Sequence, residues 1–282
     1  MPTTRVATVA APFDRDLEAG FARIARLIDE ATQRGAQLLA LPEAALGGYV
    51  SDLGGSASPP PAFAADGPEI ARLAALAGDL VVTAGYCEAA DGRRYNAAVC
   101  VTGDGVLGTY RKVHQPLRED ATYTAGDGLE AFDTPIGRIG MQICWDKGFP
   151  EAARALALDG ARVIVSMSAW PVSATNPHPD PARDRWTRRF DLFDRARALE
   201  NQVVWVASNQ FGTFGSLRFA ANAKIVDPGG EVVAATGQSA AMVAADFDLE
   251  ADLDAHRAGM NNLRDRRPDL YGALTRPALQ PV

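Results

Sequence analysis

Cysteine is scarce: only Cys87, Cys100 and Cys144 occur in 282 residues. Their odd number and wide spacing suit neither a disulfide framework nor a zinc site, and a reducing cytoplasm is the simpler setting. Positive charge is also in short supply, with 28 Lys and Arg against 35 Asp and Glu and a net charge of −7. Phosphate recognition needs concentrated Lys and Arg, so no nucleic-acid partner is expected. No apolar stretch approaches the length that spans a bilayer. The N-terminus, Met1 to Val6, lacks the apolar core of a secretory signal, so no membrane partner is expected either. Internal repeats, a linker between two cores and low-complexity tracts beyond short Pro loops are all missing, which predicts one domain over residues 1–282.

What remains is ordinary for a soluble enzyme: 47% hydrophobic and 22% charged residues, in a chain long enough to bury a sizeable core. Arg5 to Ala11 reads as a strand ended by Pro12. Asp14 or Asp16 can cap a helix with Leu17, Phe21, Ile24, Leu27 and Ile28 on one face, stopped by Gly35. Ala36 to Leu41 is a second, almost wholly apolar strand. Strand, helix and apolar strand in succession imply a buried sheet with helices packed outside it. Gly47 to Pro61 reads as loop and Pro68 opens a helix. Leu80–Cys87, Asn96–Thr102 and Val106–Tyr110 form a strand meander turned at Asp91-Gly92 and Gly103-Asp104-Gly105. Ile139 to Ile143 is a short strand, Glu151 to Leu158 a helix, and Ala161 to Met167 a strand. A long helix over Arg185–Glu200 carries Phe190, Phe193, Ala196 and Leu199 as its apolar stripe. Val203–Ser208 follows as a strand, Gly212–Gly215 as a loop, and Ala223–Asp227 with Val232–Ala235 as a hairpin. A last strand, Met242–Asp248, precedes a polar tail.

Cys144 ends an apolar strand just ahead of Phe149-Pro150-Glu151. Backbone N–H groups and the positive end of a helix dipole at such a place favour a thiolate; the competing reading is a small buried hydrophobe. Glu43 and Lys112 also directly follow apolar strand runs, and side chains at strand ends of layered α/β folds converge on one crevice. A carboxylate can take a thiol proton, and an ammonium can hold an oxyanion. Each residue alone could equally be solvated.

Leu41-Pro42-Glu43, Y-R-K-V-H at Tyr110 to His114 and I-C-W-D-K-G-F-P-E at Ile143 to Glu151 resemble the three catalytic signatures of the nitrilase superfamily of carbon–nitrogen hydrolases. Tyr95-Asn96, R-A-R-A-L-E-N at Arg195 to Asn201, V-D-P-G-G at Val226 to Gly230 and R-R-P-D-L-Y at Arg266 to Tyr271 extend the resemblance along almost the whole chain. It implies a four-layer αββα sandwich, a Glu43-Lys112-Cys144 triad and no metal or organic cofactor. It also places Glu119 as a second glutamate that positions substrate or Lys112. One departure is Ala221-Asn222-Ala223, where the family often has G-x-S.

The resemblance implies a cysteine amidohydrolase cleaving a small amide or N-carbamoyl compound through a Cys144 thioester. A nitrilase, a non-catalytic binding or assembly member and a thiol-redox enzyme are the alternatives; the last lacks a resolving cysteine near Cys144, and Asp146 leans towards amidases. Trp145 and Trp170 are candidates for pocket walls or for packing. Lys147 either pairs with a substrate carboxylate or sits on the surface at a helix start. His114 is a weaker candidate for a Cys-His dyad, His178 and His256 read as solvated, and Arg183, Arg185, Arg188 and Arg189 read as a helix surface. The resemblance further implies a homodimer or higher oligomer, with the Cys144–Glu151 and Arg185–Glu200 segments at its interface.

Overall fold

The computed structural model describes residues 3–54 and 57–276. Residues 55 and 56 of the Gly47–Pro61 loop, the first two residues of the N-terminus and the last six of the chain lie outside that range. The elements run β1 (Thr4–Ala11), α1 (Leu17–Gln33), β2 (Leu38–Ala40), α2 (Pro68–Ala77), β3 (Val81–Ala90), β4 (Arg93–Thr102), β5 (Gly105–Arg111), β6 (Phe132–Thr134) and β7 (Gly137–Ile143). They continue α3 (Pro150–Leu158), β8 (Val163–Ser168), α4 (Arg185–Asn201), β9 (Val204–Gln210), β10 (Thr213–Phe214), β11 (Leu217–Arg218), β12 (Lys224–Val226), β13 (Val232–Ala235), β14 (Ala241–Phe247) and α5 (Leu249–Arg257).

Two half-sheets face each other. One runs β5-β4-β3-β2-β1-β14 and the other β6-β7-β8-β9-β12-β13, and they join where the end of β1 meets the end of β9 at Ala10↔Asn209 and Ala11↔Gln210. Successive strand residues point to opposite faces, and burial follows that rule. Val6, Leu38 and Val81 pack with Ile139, Met141 and Val163 between the halves. Ala7, Val9, Leu39 and Val82 turn outward onto Phe21 and Ile24 of α1 and Ile70 and Leu73 of α2. On the far side α3 lies so close to β7 that a Cβ at Gly140 would stand 2.9 Å from Leu156. The layers are therefore α1/α2, sheet, sheet and α3/α4, which is the αββα sandwich.

Local chemistry explains the boundaries. Asp16, not Asp14, caps α1 by accepting from Ala19 N, and Gly35 follows the helix with φ +73°. Asp184 caps α4 through Trp186 N. Several expectations need correction. The second strand, Leu38–Ala40, is shorter than Ala36–Leu41 at both ends, and Pro42 follows it on the C-terminal side. The Gly212–Gly215 loop carries a two-residue hairpin, β10 with β11, and β6 pairs with β7 where no strand is expected. The polar tail begins with α5, capped by Asp248.

The largest correction concerns α4. Its inward face holds Thr187, Phe190, Asp194, Arg197, Ala198 and Asn201, while Leu192 and Leu199 are 64% and 52% exposed. Of the expected apolar stripe, Phe190 is buried in the core and Phe193 packs against it, but Leu199 points outward and the inward face also carries an ionic group. Asp194 accepts from Lys147 Nζ at 2.6 Å, Lys224 Nζ at 3.2 Å and Trp205 Nε1 at 2.8 Å, so a buried carboxylate is compensated by two buried ammoniums and an indole N–H.

Candidate active site

Glu43, Lys112 and Cys144, the expected triad, each follow the end of a strand. β2 ends at Ala40 and Pro42 turns the chain so that Glu43 points inward, fully buried. The loop crosses β3 closely: a Cβ on Gly85 would lie 2.4 Å from Ala44 N and 2.6 Å from Glu43 Cα. Only glycine leaves that room. Lys112 follows β5, with its backbone held by Asn96 O and Gly126 N at 2.8 Å each. Cys144 follows β7, buried, with φ +52° at the start of a tight turn over Cys144–Gly148.

The side chains form one connected network. Lys112 Nζ donates to Glu43 Oε1 at 3.1 Å and to Glu119 Oε1 at 2.8 Å, and all three are fully buried or within 1% of it. Asn96 Nδ2 donates to Glu43 Oε1 at 2.7 Å and to Glu119 Oε1 at 3.4 Å. Ala169 N donates to Glu43 Oε2 at 2.5 Å. Tyr49 donates its hydroxyl to Glu119 Oε1. Gln210 Nε2 fixes the backbone of the loop through Glu43 O at 2.9 Å.

Electrostatics sorts the protons. Burial alone would lower Lys112, but the charges of Glu119 and Glu43 outweigh it and hold the ammonium above the ordinary lysine range. Burial pushes Glu119 up to about 7 against the opposing pull of Lys112. Burial also pushes the Cys144 thiol well up, with Glu43 adding to the rise and Lys112 opposing it. This corrects the expectation of a thiolate favoured by a helix N-terminus. α3 begins only at Pro150, beyond the five-residue turn, and desolvation dominates. Burial therefore favours the neutral thiol at Cys144.

Other expected residues lie elsewhere. Lys147 is fully buried on Asp194, 3.6 Å above the Phe190 ring, so neither the surface reading nor the substrate-carboxylate reading describes its surroundings. A protein carboxylate already occupies the ammonium. Trp170 is buried, donates Nε1 to Trp186 O, and packs in an aromatic cluster with Trp145, Trp186, Phe190 and Phe193; packing accounts for both tryptophans. His114 lies on Asp146 and stacks on Phe149 at 3.7 Å, so its ring is engaged away from the thiol. Sequence reasoning missed the roles of Asn96, Tyr49 and Gln210. An Asn inside the apolar run of β4 was the available signal for the first; nothing local marks the other two.

A cavity of about 750 Å³ has Leu53, Leu117, Val172, Ser173, Trp186 and Leu217 among its walls, and none of Glu43, Lys112, Glu119 and Cys144 lines it. Along the chain, Leu117 precedes Glu119 by two residues and Val172 follows Ala169 by three. Among the described residues no cluster of three or more His, Cys, Asp or Glu is placed to hold a metal ion, and no helix is long and apolar enough to cross a membrane.

Comparison with known proteins gives a consistent result. Residues 5–252 match the carbon-nitrogen hydrolase family model. An N-carbamoylputrescine amidase of Solanum lycopersicum is 35% identical over 96% of this chain and 95% of that protein. An omega-amidase of Xenopus tropicalis is 32% identical over 88% of this chain and 90% of that protein. The crystal structure of a carbon-nitrogen hydrolase from Helicobacter pylori superposes with a TM-score of 0.85 at 25% identity, covering 99% of this chain and 100% of that one. With sequence and fold in agreement, the chain belongs to the carbon–nitrogen hydrolase family of the nitrilase superfamily.

Proposed function

We propose that the protein is a cysteine amidohydrolase that releases ammonia from a small linear amide or N-carbamoyl compound, with Glu43, Lys112 and Cys144 as its catalytic residues and Glu119 as their support. The observation that carries this reading is the fully buried Lys112, hydrogen-bonded to both Glu43 and Glu119, with the Cys144 thiol inside the field of all three. Glu43 takes the proton from Cys144 Sγ, and the thiolate attacks the carbonyl carbon. Lys112 and the N–H after Cys144 stabilise the oxyanion. The protonated Glu43 then passes its proton to the departing nitrogen, and ammonia leaves a thioester. Glu43 next deprotonates water, which attacks the thioester; the acid departs and the thiol is restored. Glu119 keeps Lys112 in place through the steps in which Glu43 is neutral.

The cavity of about 750 Å³ is of a size for a small-molecule substrate. Relatives named as amidases, 35% and 32% identical to this chain, support an amide substrate. Three free, buried thiols suit a reducing cytoplasm. The outward Leu192 and Leu199 of α4 border a groove of about 840 Å³, which supports a homodimer or higher oligomer built on that helix.

The test is ammonia release from a panel of terminal amides, N-carbamoyl compounds and nitriles. At least one amide or carbamoyl compound is expected to be hydrolysed, and Cys144→Ser to be inactive while folded. Ammonia from nitriles alone, or from none of the panel, overturns the reading.

A further inference from the structure

Asp146 stands two residues after the nucleophile, fully buried, and touches neither Glu43 nor the other members of the Lys112 network. Its carboxylate is nevertheless saturated. Oδ2 accepts from Ile143 N at 3.0 Å and from Tyr110 Oη at 2.7 Å. Oδ1 accepts from His114 N at 2.9 Å and lies 2.9 Å from His114 Nδ1. Ile143 directly precedes Cys144, whereas Tyr110 and His114 stand two residues before and two after Lys112. One side chain thus brackets the lysine from both sides and closes the turn that holds the nucleophile in its left-handed backbone conformation. The stack of His114 on Phe149 adds a second tie between the same two segments.

We infer that Asp146 is a positioning residue that sets the placement of Lys112 against Cys144, acting through Tyr110, His114 and Ile143. This rests on the amidohydrolase reading. A displacement of about 1 Å in a catalytic group costs on the order of a hundredfold in rate, so a clamp spanning both groups governs the acylation step. Neutral asparagine cannot replace it. It presents one acceptor oxygen and one NH2 where the carboxylate accepts from Ile143 N, Tyr110 Oη and His114 N, so one side of the bracket must open.

The experiment follows the burst of nitrophenolate when the intact protein is mixed with p-nitrophenyl acetate, which reports acylation of Cys144 without reference to the natural substrate, alongside amide turnover. Asp146→Asn is expected to slow the burst by about tenfold or more, and to lower kcat for the amide by a similar factor with KM within about threefold. Tyr110→Phe, which removes one oxygen, is expected to slow the burst by about threefold to tenfold, and the double variant to be no slower than Asp146→Asn, because the tyrosine acts through the aspartate. Two residues that merely pack independently would give losses that multiply, and that result overturns the inference. So does a folded Asp146→Asn protein with a burst rate within about twofold of the parent. If Asp146→Asn does not fold, Tyr110→Phe decides: an unchanged burst overturns the inference and a slowed one supports it. A parent protein with neither burst nor amide turnover defeats the amidohydrolase reading itself, a result distinct from a parent that is active and indifferent to these substitutions.

Discussion

Lys112 is an ammonium with no exposure to solvent, held between two carboxylates that would repel each other without it. Lys112→Ala should therefore lower kcat by about a hundredfold or more, the scale of a lost oxyanion donor, as read from steady-state ammonia release. Glu119 gives a pH signature. Its pKa in the folded protein is raised from 4.5 to about 7, chiefly by burial, so the native state binds this proton more tightly than the unfolded chain does. In the window between those values the native state holds more protons, and stability falls as pH rises through it. Urea unfolding near the two ends of the window should show this fall, and Glu119→Gln, which cannot ionise, should show a flatter dependence. Equal slopes in the two proteins would remove Glu119 as the source. The convergence of Glu43 and Lys112 was legible because each follows an apolar run within a recognisable signature. The state of the thiol was not, because desolvation depends on the whole surrounding core and outweighs the local turn.

Elements that rest on local chemistry were readable, and those that rest on distant partners were not. The hairpin at Asp91-Gly92, the Asp16 cap and the Pro68 start of α2 follow from neighbouring residues. α4 does not. Its spacing places Phe190 and Phe193 on the core as observed, but Leu199 turns outward and the inward face also carries Asp194 and Arg197, whose partners lie far along the chain. Lys147 is 47 residues from Asp194 and Lys224 is 30. Asp194→Ala strips both ammoniums of their shared carboxylate and should cost about 3–5 kcal/mol in chemical denaturation. Lys147→Met leaves Lys224 on Asp194 and should cost less. It should also leave the ratio of KM values for acidic and neutral amides unchanged, since Lys147 already has a protein partner. A selective rise in KM for the acidic amide would restore Lys147 as a substrate contact.

At the scale of the molecule, the meander of β3 to β5 and the apolar strands were visible, but the pairing of β14 back onto β1 and the junction of β1 with β9 join residues some two hundred positions apart. No local pattern encodes such contacts; the resemblance supplied the sandwich. It also implies an oligomer, and the exposed Leu192 and Leu199 give that expectation a surface. Light scattering at micromolar concentration should give at least a dimer, and Leu199→Glu should shift it towards monomer; a monomeric parent protein would contradict this. The catalytic claim joins all these scales, since strands from both half-sheets must meet for Cys144 to be acylated. Rapid quench of the protein during amide turnover, followed by intact-mass and peptide analysis, tests it most directly. The account predicts an acyl adduct on Cys144 that forms and decays at rates consistent with kcat, and none on Cys144→Ala, whereas turnover with an unmodified Cys144, or an active Cys144→Ala protein, would contradict it.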